Sequence, residues 1–131
     1  MPDKELMKIA EAARERAYCP YSGFAGGAAL LTSEGEVYIG CNIENSSFSP
    51  TCCAERTAFF TAVADGKRDF KKIAVTGGKK GEEPLELCSP CGVCRQVMSE
   101  FCSGEFEILL GRSDDLKKYT LADLLPLGFD L

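Results

Sequence analysis

Two segments of the sequence place cysteines where a helix is expected to begin. The first, TCCAERTAFFTAVADG from residue 51, carries apolar residues at helical spacing and ends on a glycine where a C-cap belongs. In the second, LCSPCGVCRQVMSEFCSG from residue 87, Ser89 suits the cap and Pro90 the first helical position. A fold that uses these cysteines together has to bring two helix N-termini to one place.

The spacing of these cysteines indicates a metal site. Cys91 and Cys94 form a Cys-x-x-Cys pair, which alone also fits a redox dithiol or two core cysteines. Cys53 adds a third thiol at the other helix start, and Glu55 follows it by two residues. Three thiolates with an open fourth position predict a catalytic zinc site.

The rest of the composition narrows the chemistry. The chain has eight cysteines and no histidine, so a site here has to use thiols and carboxylates. The charged N-terminal segment does not read as a secretion signal, so we expect a reducing, cytoplasmic setting without disulfides. A structural zinc site with four thiolates remains an alternative, and its fourth ligand would be Cys52, Cys88 or Cys102.

The net charge and the distribution of apolar residues argue against two classes of partner. The net charge is −5, whereas nucleic-acid binding draws on clustered Lys and Arg. No window approaches the roughly 18 uninterrupted apolar residues of a membrane helix. We therefore expect a small-molecule substrate, with neither nucleic acid nor a membrane as a partner.

Hydrophobic spacing predicts a mixed α/β fold. Residues 3–17 form an amphipathic helix with Asp3 as its N-cap, and GGAALL and VYIGCN form an antiparallel hairpin. Each cysteine-led helix is followed by a strand, KKIAVTG and EFEILLG, and TLADLLP forms a short last helix stopped by Pro126. Such elements bury their faces as a sheet covered by helices. We expect residues 1–131 to form a single domain.

The electrostatics of such a site call for nearby positive charge. Three thiolates on Zn²⁺ leave a net negative charge, which weakens the ion as a Lewis acid. Helix N-termini directed at the sulfurs offset part of it and favour thiolate over thiol. Arg56 can reach the sulfurs and withdraw more charge, although it could also face solvent. Glu55 suits proton transfer, whereas a first-turn glutamate alone would be explained by the helix dipole.

Five linked motifs extend over most of the chain, namely PYSGF at 20–24, GAALL at 27–31, NIEN at 42–45, CAERTA at 53–58 and SPCGVCRQ at 89–96. Through these motifs the chain resembles the small cytidine deaminases over nearly its full length. The C-x-E and P-C-x-x-C segments are the cysteine-only form of the zinc deaminase signature. The resemblance implies a three-layer α/β/α sandwich with a mixed sheet. It also implies Zn²⁺ on Cys53, Cys91 and Cys94, with Glu55 as the catalytic proton shuttle.

The same resemblance implies hydrolytic deamination of cytidine or deoxycytidine at carbon 4, giving the uridine product in pyrimidine salvage, by a homotetramer. A deaminase of a modified cytosine nucleoside such as blasticidin S is the nearest alternative, since it shares the zinc motifs and an LLPL-like tail. NIEN and CRQ favour the plain nucleoside. A non-catalytic structural zinc protein or a deaminase-fold binding module would need no acid at Glu55.

Substrate contacts are also implied by the resemblance. Asn42 and Glu44 correspond to residues that hydrogen-bond the ribose hydroxyl, and Phe24 corresponds to one that packs on the pyrimidine ring. The backbone contact to the base falls on Ala54, and Ser89 lies where a carbonyl receives the amino group. These five residues are therefore the candidate substrate-binding set within one chain.

One further match and two departures complete the comparison with the family pattern. Phe129 matches an aromatic residue near the C-terminus that comes from a neighbouring subunit. Ala25-Gly26-Gly27 stand where the family commonly has Pro-Val-Gly, and we expect glycine's freedom to loosen the packing there. Phe48 replaces a common Tyr and lacks a hydroxyl that could support the ribose contacts. These departures bear on nucleoside preference more than on the chemistry.

Overall fold

A five-stranded mixed sheet runs through the molecule. The computed structural model describes residues 1–131. In chain order the elements are α1 (Asp3–Ala13), a 3₁₀ turn (Arg14–Arg16), β1 (Phe24–Thr32), β2 (Val37–Cys41), α2 (Ala54–Ala64), β3 (Phe70–Lys79), α3 (Gly92–Phe101), β4 (Glu107–Arg112), β5 (Asp115–Thr120) and α4 (Leu121–Leu124). The strands lie in the order β2-β1-β3-β4-β5, and only β3 and β4 pair in parallel.

Helices cover both faces of this sheet. Because side chains alternate along a strand, β1 sends Ala28 and Leu30 to one face and Ala29 and Leu31 to the other. The first face packs on α2, α3 and α4 around the fully buried ring of Phe59. The second face is covered by α1, whose fully buried side chains are Leu6, Met7 and Ala10. The expected α/β/α sandwich is confirmed.

The pairing of β1 decides where the helices begin. Both β2 and β3 run antiparallel to β1, so they run in the same direction. Their carboxyl ends therefore lie at the same edge of the sheet, meaning here the edge formed by strand ends. The loops that lead to α2 and α3 leave from this edge. β1 starts here too, with Phe24 opposite Lys79. The topology therefore directs both cysteine-led helix starts to one edge of the sheet.

Two glycines let helices approach the sheet closely. A Cβ atom on Gly27 would lie 2.1 Å from the carbonyl oxygen of Ala10, and one on Gly40 would lie 2.2 Å from that of Ala54. Both neighbours are helix backbone, so neither can move aside without displacing α1 or α2. The expectation that glycine loosens the packing at the start of β1 is wrong for Gly27, where it permits tight packing.

The N-terminal helix departs from the predicted residues 3–17. It ends at Ala13, continues as the 3₁₀ turn, and has Pro2 instead of Asp3 at its N-cap. The Asp3 carboxylate accepts hydrogen bonds from Lys72 Nζ at 2.5 Å and from Lys118 Nζ at 3.1 Å. The bond from Lys72 holds the pKa of Asp3 below its ordinary value. Asp3 thus serves as the counter-charge of a buried lysine.

The C-terminal part of the chain contains one strand that the sequence did not predict. This strand, β5, has the sequence DLKKYT and pairs with β4 at the edge of the sheet. The short last helix is confirmed, and a capping box between Thr120 and Asp123 holds it. No helix is longer than 11 residues, and none is long and apolar enough to cross a membrane.

Adjacent glycines in β1 offer a matched test of this packing. We expect Gly27→Ala to lower the free energy of unfolding by about 2 kcal/mol or more, because its methyl group would collide with α1 backbone. In Gly26→Ala the nearest atoms would lie 3.7 Å away, an ordinary contact, so the change should stay within about 1 kcal/mol. Denaturant unfolding measures both, and equal losses would contradict the close approach.

Candidate metal centre and substrate cavity

Each of the two helices begins on a cysteine in extended conformation. Cys53 is the N-cap of α2, with φ −73° and ψ 160°, and Cys91 is the N-cap of α3, with φ −68° and ψ 167°. The Cys91 sulfur accepts a hydrogen bond from the backbone N–H of Cys94 at 3.4 Å. At α3 a thiol therefore takes the place that a Ser or Asp oxygen usually has at a helix start, whereas the side chain of Cys53 makes no capping hydrogen bond in α2.

The three predicted ligand sulfurs lie together. Cys91 Sγ is 3.7 Å from Cys53 Sγ and 3.5 Å from Cys94 Sγ, and all three lie within 4.8 Å of one another. Zinc–sulfur bonds of about 2.3 Å in tetrahedral geometry require sulfurs about 3.8 Å apart. The donor set and its spacing fit Zn²⁺. No other cysteine belongs to this cluster, so the protein supplies three ligands and the four-thiolate alternative is not supported.

The protonation of the cluster points to a cation as well. Hydrogen bonds from Cys94 and then Arg56 lower the pKa of Cys53 to about 5. The pKa of Cys94 is raised instead, because its proton is shared with Cys53 and the group is buried. Cys53 and Cys94 thus share one proton, and a divalent metal would supply the charge that lets both bind as thiolates.

The guanidinium of Arg56 lies against this cluster. Its Nη2 is 3.5 Å from Cys53 Sγ and 3.4 Å from the Thr51 carbonyl oxygen. Its Nε is buried and has no hydrogen-bond partner. Arg56 faces the sulfurs and not the solvent, in the position expected from the sequence.

Glu55 is buried beside the sulfurs in the first turn of α2. It is 6% exposed, and burial, with a smaller contribution from the Cys53 thiolate, raises its pKa to about 7. A carboxyl group with this pKa exchanges protons near neutral pH. The helix dipole alone does not explain a buried acid, because a surface position would serve that interaction equally well.

A cavity of about 230 Å³ opens over the sulfurs. Its walls include Glu55 and four of the residues predicted to contact substrate, namely Phe24, Asn42, Ala54 and Ser89. They come from β1, from the loop after β2, from α2 and from the segment before α3. The fold therefore assembles most of the predicted substrate set around the metal centre.

The side chain of Asn42 is bound to the beginning of β1. Its Oδ1 accepts a hydrogen bond from Gly26 N at 2.8 Å, and its Nδ2 donates one to the Phe24 carbonyl at 2.8 Å. Each amide atom can make one further hydrogen bond. Asn42 is thus oriented by the strand while it lines the cavity.

Glu44 lies in an adjoining pocket of about 390 Å³ and not in the cavity itself. Its carboxylate accepts hydrogen bonds from Tyr21 N at 2.9 Å, from Ser22 N at 3.1 Å and from the Ser22 hydroxyl. The Ser22 hydroxyl bond is the main cause that lowers the pKa of Glu44. Thr51 lines both spaces, so the pocket that contains Glu44 adjoins the cavity.

Phe129 lies away from the cavity of its own chain. It is 69% exposed and lines a separate pocket with Cys102 and Leu125. The role implied for it involves a neighbouring subunit and stays a prediction.

Six further residues line the cavity, although the sequence analysis predicted none of them to contact substrate. They are Gly26, Thr51, Cys52, Val75, Thr76 and Cys88. Val75 and Thr76 belong to β3, whose apolar run gave no sign of which residues face a cavity. Cys88 is next to the SPC motif, and burial raises the pKa of its thiol to about 11, so it stays protonated. The sequence offered one sign that Cys52 and Cys88 line the cavity: Cys52 precedes Cys53, and Cys88 precedes Ser89.

Comparison with known families agrees with this site. The family model described as the cytidine and deoxycytidylate deaminase zinc-binding region matches residues 1–109. The chain belongs to this deaminase family. The match covers both cysteine-led helices, and with the sulfur geometry it makes zinc the cofactor.

Members of the family align with almost the whole chain. A cytidine deaminase from Sporosarcina psychrophila is 51% identical over 98% of this chain and 92% of its own length. A crystal structure of the cytidine deaminase from Burkholderia pseudomallei superposes with a TM-score of 0.89 at 45% identity, covering 98% of this chain and 100% of that one. A blasticidin-S deaminase from Bacillus cereus is more distant, at 33% identity over 79% of this chain and 75% of its own.

Serine substitutions test the ligand set. We expect Cys53→Ser, Cys91→Ser and Cys94→Ser each to lower the zinc content from about one per chain to a small fraction, because a hydroxyl does not replace a thiolate ligand. Elemental analysis after dialysis measures this. Cys102→Ser, which alters a half-buried thiol outside the cluster, should keep its zinc. Full zinc in any of the first three variants would remove that residue from the ligand set.

The pH at which zinc is lost tests Arg56. Because its hydrogen bond helps to lower the pKa of Cys53, Arg56→Gln raises that pKa and lets protons compete with zinc at higher pH. We expect zinc affinity to fall about 10-fold and the midpoint of zinc release to move to higher pH, measured with a chromophoric chelator. Arg68→Gln is the control, because Arg68 follows α2 and donates to the Val63 carbonyl at the opposite end of that helix. Unchanged release in Arg56→Gln would exclude a role at the metal.

Proposed function

We propose that the chain is a zinc-dependent hydrolase that converts cytidine and deoxycytidine to uridine and deoxyuridine, with release of ammonia. The observation that carries this proposal is the buried Glu55 beside three clustered thiols at the floor of a cavity. A structural zinc site has no use for a buried acid at this place. The likeness to cytidine deaminases over nearly the full chain supports the choice of substrate.

The residues divide the chemistry between them. Cys53, Cys91 and Cys94 hold zinc, which when bound lowers the pKa of water and so supplies hydroxide near neutral pH. Glu55 accepts the proton that the attacking water loses. Because burial raises its pKa to about 7, Glu55 can hold this proton at neutral pH.

Glu55 transfers both protons of the attacking water to the substrate. The water oxygen bonds to carbon 4 of the pyrimidine, and Glu55 delivers the first proton to ring nitrogen 3. The second proton of the water passes through Glu55 to the amino nitrogen. The carbon–nitrogen bond breaks, its electron pair leaves with ammonia, and carbon 4 keeps the oxygen as a carbonyl.

Residues of the cavity, together with Glu44 in the adjoining pocket, orient the substrate. Phe24 packs on the pyrimidine, the Ala54 backbone contacts the base, and the Ser89 carbonyl receives the amino group. Asn42 and Glu44 take the ribose hydroxyl through the hydrogen-bonding capacity that their own contacts leave free. The lowered pKa of Glu44 keeps it an anionic acceptor at neutral pH.

The proposal extends to assembly and setting. We place the enzyme in cytoplasmic pyrimidine salvage as a homotetramer in which Phe129 reaches a neighbouring cavity. Large exposed side chains support an oligomer, since Tyr21, Phe48, Phe60 and Phe129 are each at least half exposed. Tyr21 and Phe48 pack edge to face at 6.4 Å on the rim of the pocket beside Glu44.

Substitution of the buried acid tests the mechanism. We expect Glu55→Gln to bind zinc normally and to lower kcat for cytidine about 10³- to 10⁴-fold, because the amide cannot shuttle protons. The absorbance decrease on deamination measures turnover. Glu5→Gln is the control, since Glu5 also lies in the first turn of a helix but is exposed.

Each outcome of this experiment decides between functions. Full activity in Glu55→Gln would refute the proton shuttle. A zinc-loaded wild-type protein that deaminates neither cytidine nor deoxycytidine would overturn the proposed substrate. Turnover of blasticidin S in that case would move the protein to the modified nucleosides.

A further inference from the structure

Part of the cavity wall is held by a single hydrogen bond. Cys88 and Ser89 line the cavity, but residues 87–90 belong to no helix or strand. The one hydrogen bond in which these four residues take part joins the Pro90 carbonyl to Arg95 Nε, at 2.8 Å. Pro90 is fully buried, so its carbonyl oxygen needs a hydrogen-bond partner. Since proline has no N–H, this carbonyl is the only hydrogen-bonding backbone group of Pro90.

The same guanidinium reaches a second carbonyl. Arg95 Nη1 donates to the Leu124 carbonyl oxygen at 2.6 Å. Leu124 is the last residue of α4, where carbonyls have no partner within the helix. Since the guanidinium is a rigid planar fork, it holds the Pro90 and Leu124 carbonyls in a set relation. Arg95 therefore connects the segment before α3 to α4.

Arg95 lies on α3 next to a predicted zinc ligand, so its connection to α4 also concerns the metal centre. Arg95 follows Cys94 directly, and its backbone N–H bonds to the Cys91 carbonyl at 3.0 Å. The carbonyl that its side chain binds belongs to Pro90, between Ser89 and Cys91. A shift of the Pro90 carbonyl thus moves a predicted substrate contact on one side and a zinc ligand on the other.

We propose that Arg95 is a positioning residue that fixes Ser89 and Cys91 by bracing the segment between them against α4. Its effect on turnover rests on the proposed function, whereas its effect on zinc retention does not. A role limited to pairing a buried carbonyl would alter global stability without changing the metal centre in particular. The two roles therefore differ in what they predict for zinc release from the folded protein.

Zinc release from folded, zinc-loaded variants tests this proposal. We expect Arg95→Gln to release zinc to a chromophoric chelator about 10-fold faster than wild type and to lower kcat/KM for cytidine about 10-fold. Arg95→Lys, which keeps the charge and can reach one carbonyl, should be intermediate, and it keeps the test open if the glutamine variant does not fold. The matched control is Arg68→Gln, because Arg68 also donates to two carbonyls at 2.8 Å, but far from the cavity.

A double-substitution cycle tests the connection to α4. Thr120→Ala removes the capping box of α4 and frees the helix end that carries the Leu124 carbonyl. If Arg95 acts through α4, Thr120→Ala speeds zinc release alone but adds little to Arg95→Gln. Independent, multiplying effects would overturn the connection, and release from Arg95→Gln at the rate of Arg68→Gln would overturn the positioning role. Inactive wild-type protein would refute the proposed function, and zinc release would still decide for or against Arg95.

Discussion

The site depends on two helix N-termini that meet at three sulfur atoms. Peptide N–H groups in the first turn of a helix have no partner within the helix, so they stabilise negative charge placed there. Cys53 and Cys91 stand at the N-caps, and Cys94 lies in the first turn of α3. The helix starts favour the thiolates, the thiolates bind zinc, and zinc in turn holds both helix starts together. Bound zinc would therefore stabilise the folded arrangement of these two helix starts.

Close packing of α2 on the sheet accompanies the burial of the acid at this site. Gly40 lets the backbone of Ala54 lie against β2, and the following Glu55 is buried as a result. Burial favours the protonated carboxyl, whereas the nearby thiolates draw the cation of Arg56 inward. One helical turn thus carries an acid that can hold a proton at neutral pH and a cation that offsets the charge of the sulfurs.

Part of the cavity wall consists of irregular segments, which polar side chains tie to each other and to regular structure. Asn42 extends the hydrogen bonding of β1, and Glu44 binds the turn at Tyr21 and Ser22. Arg95 does the same for the segment before α3. Loops lack the ladder that orders strands, so a few side-chain bonds decide their positions. The helix starts therefore carry the metal ligands, and the cavity around them is lined by residues of β1 and β3 and by loops that side-chain hydrogen bonds hold in place.

The sequence by itself determined most of the helices and strands and the chemistry of the metal centre. Helical spacing, the caps and the Cys-x-Glu and Cys-x-x-Cys motifs are local patterns, readable without the fold. The tertiary structure alone decided the strand β5, the pairing of Asp3 with Lys72 and the placement of Val75 and Thr76 in the cavity. The polar strand β5 is ordered by its partner β4, and the other contacts join residues far apart in the chain. Local periodicity shows which residues are buried but not what they meet there.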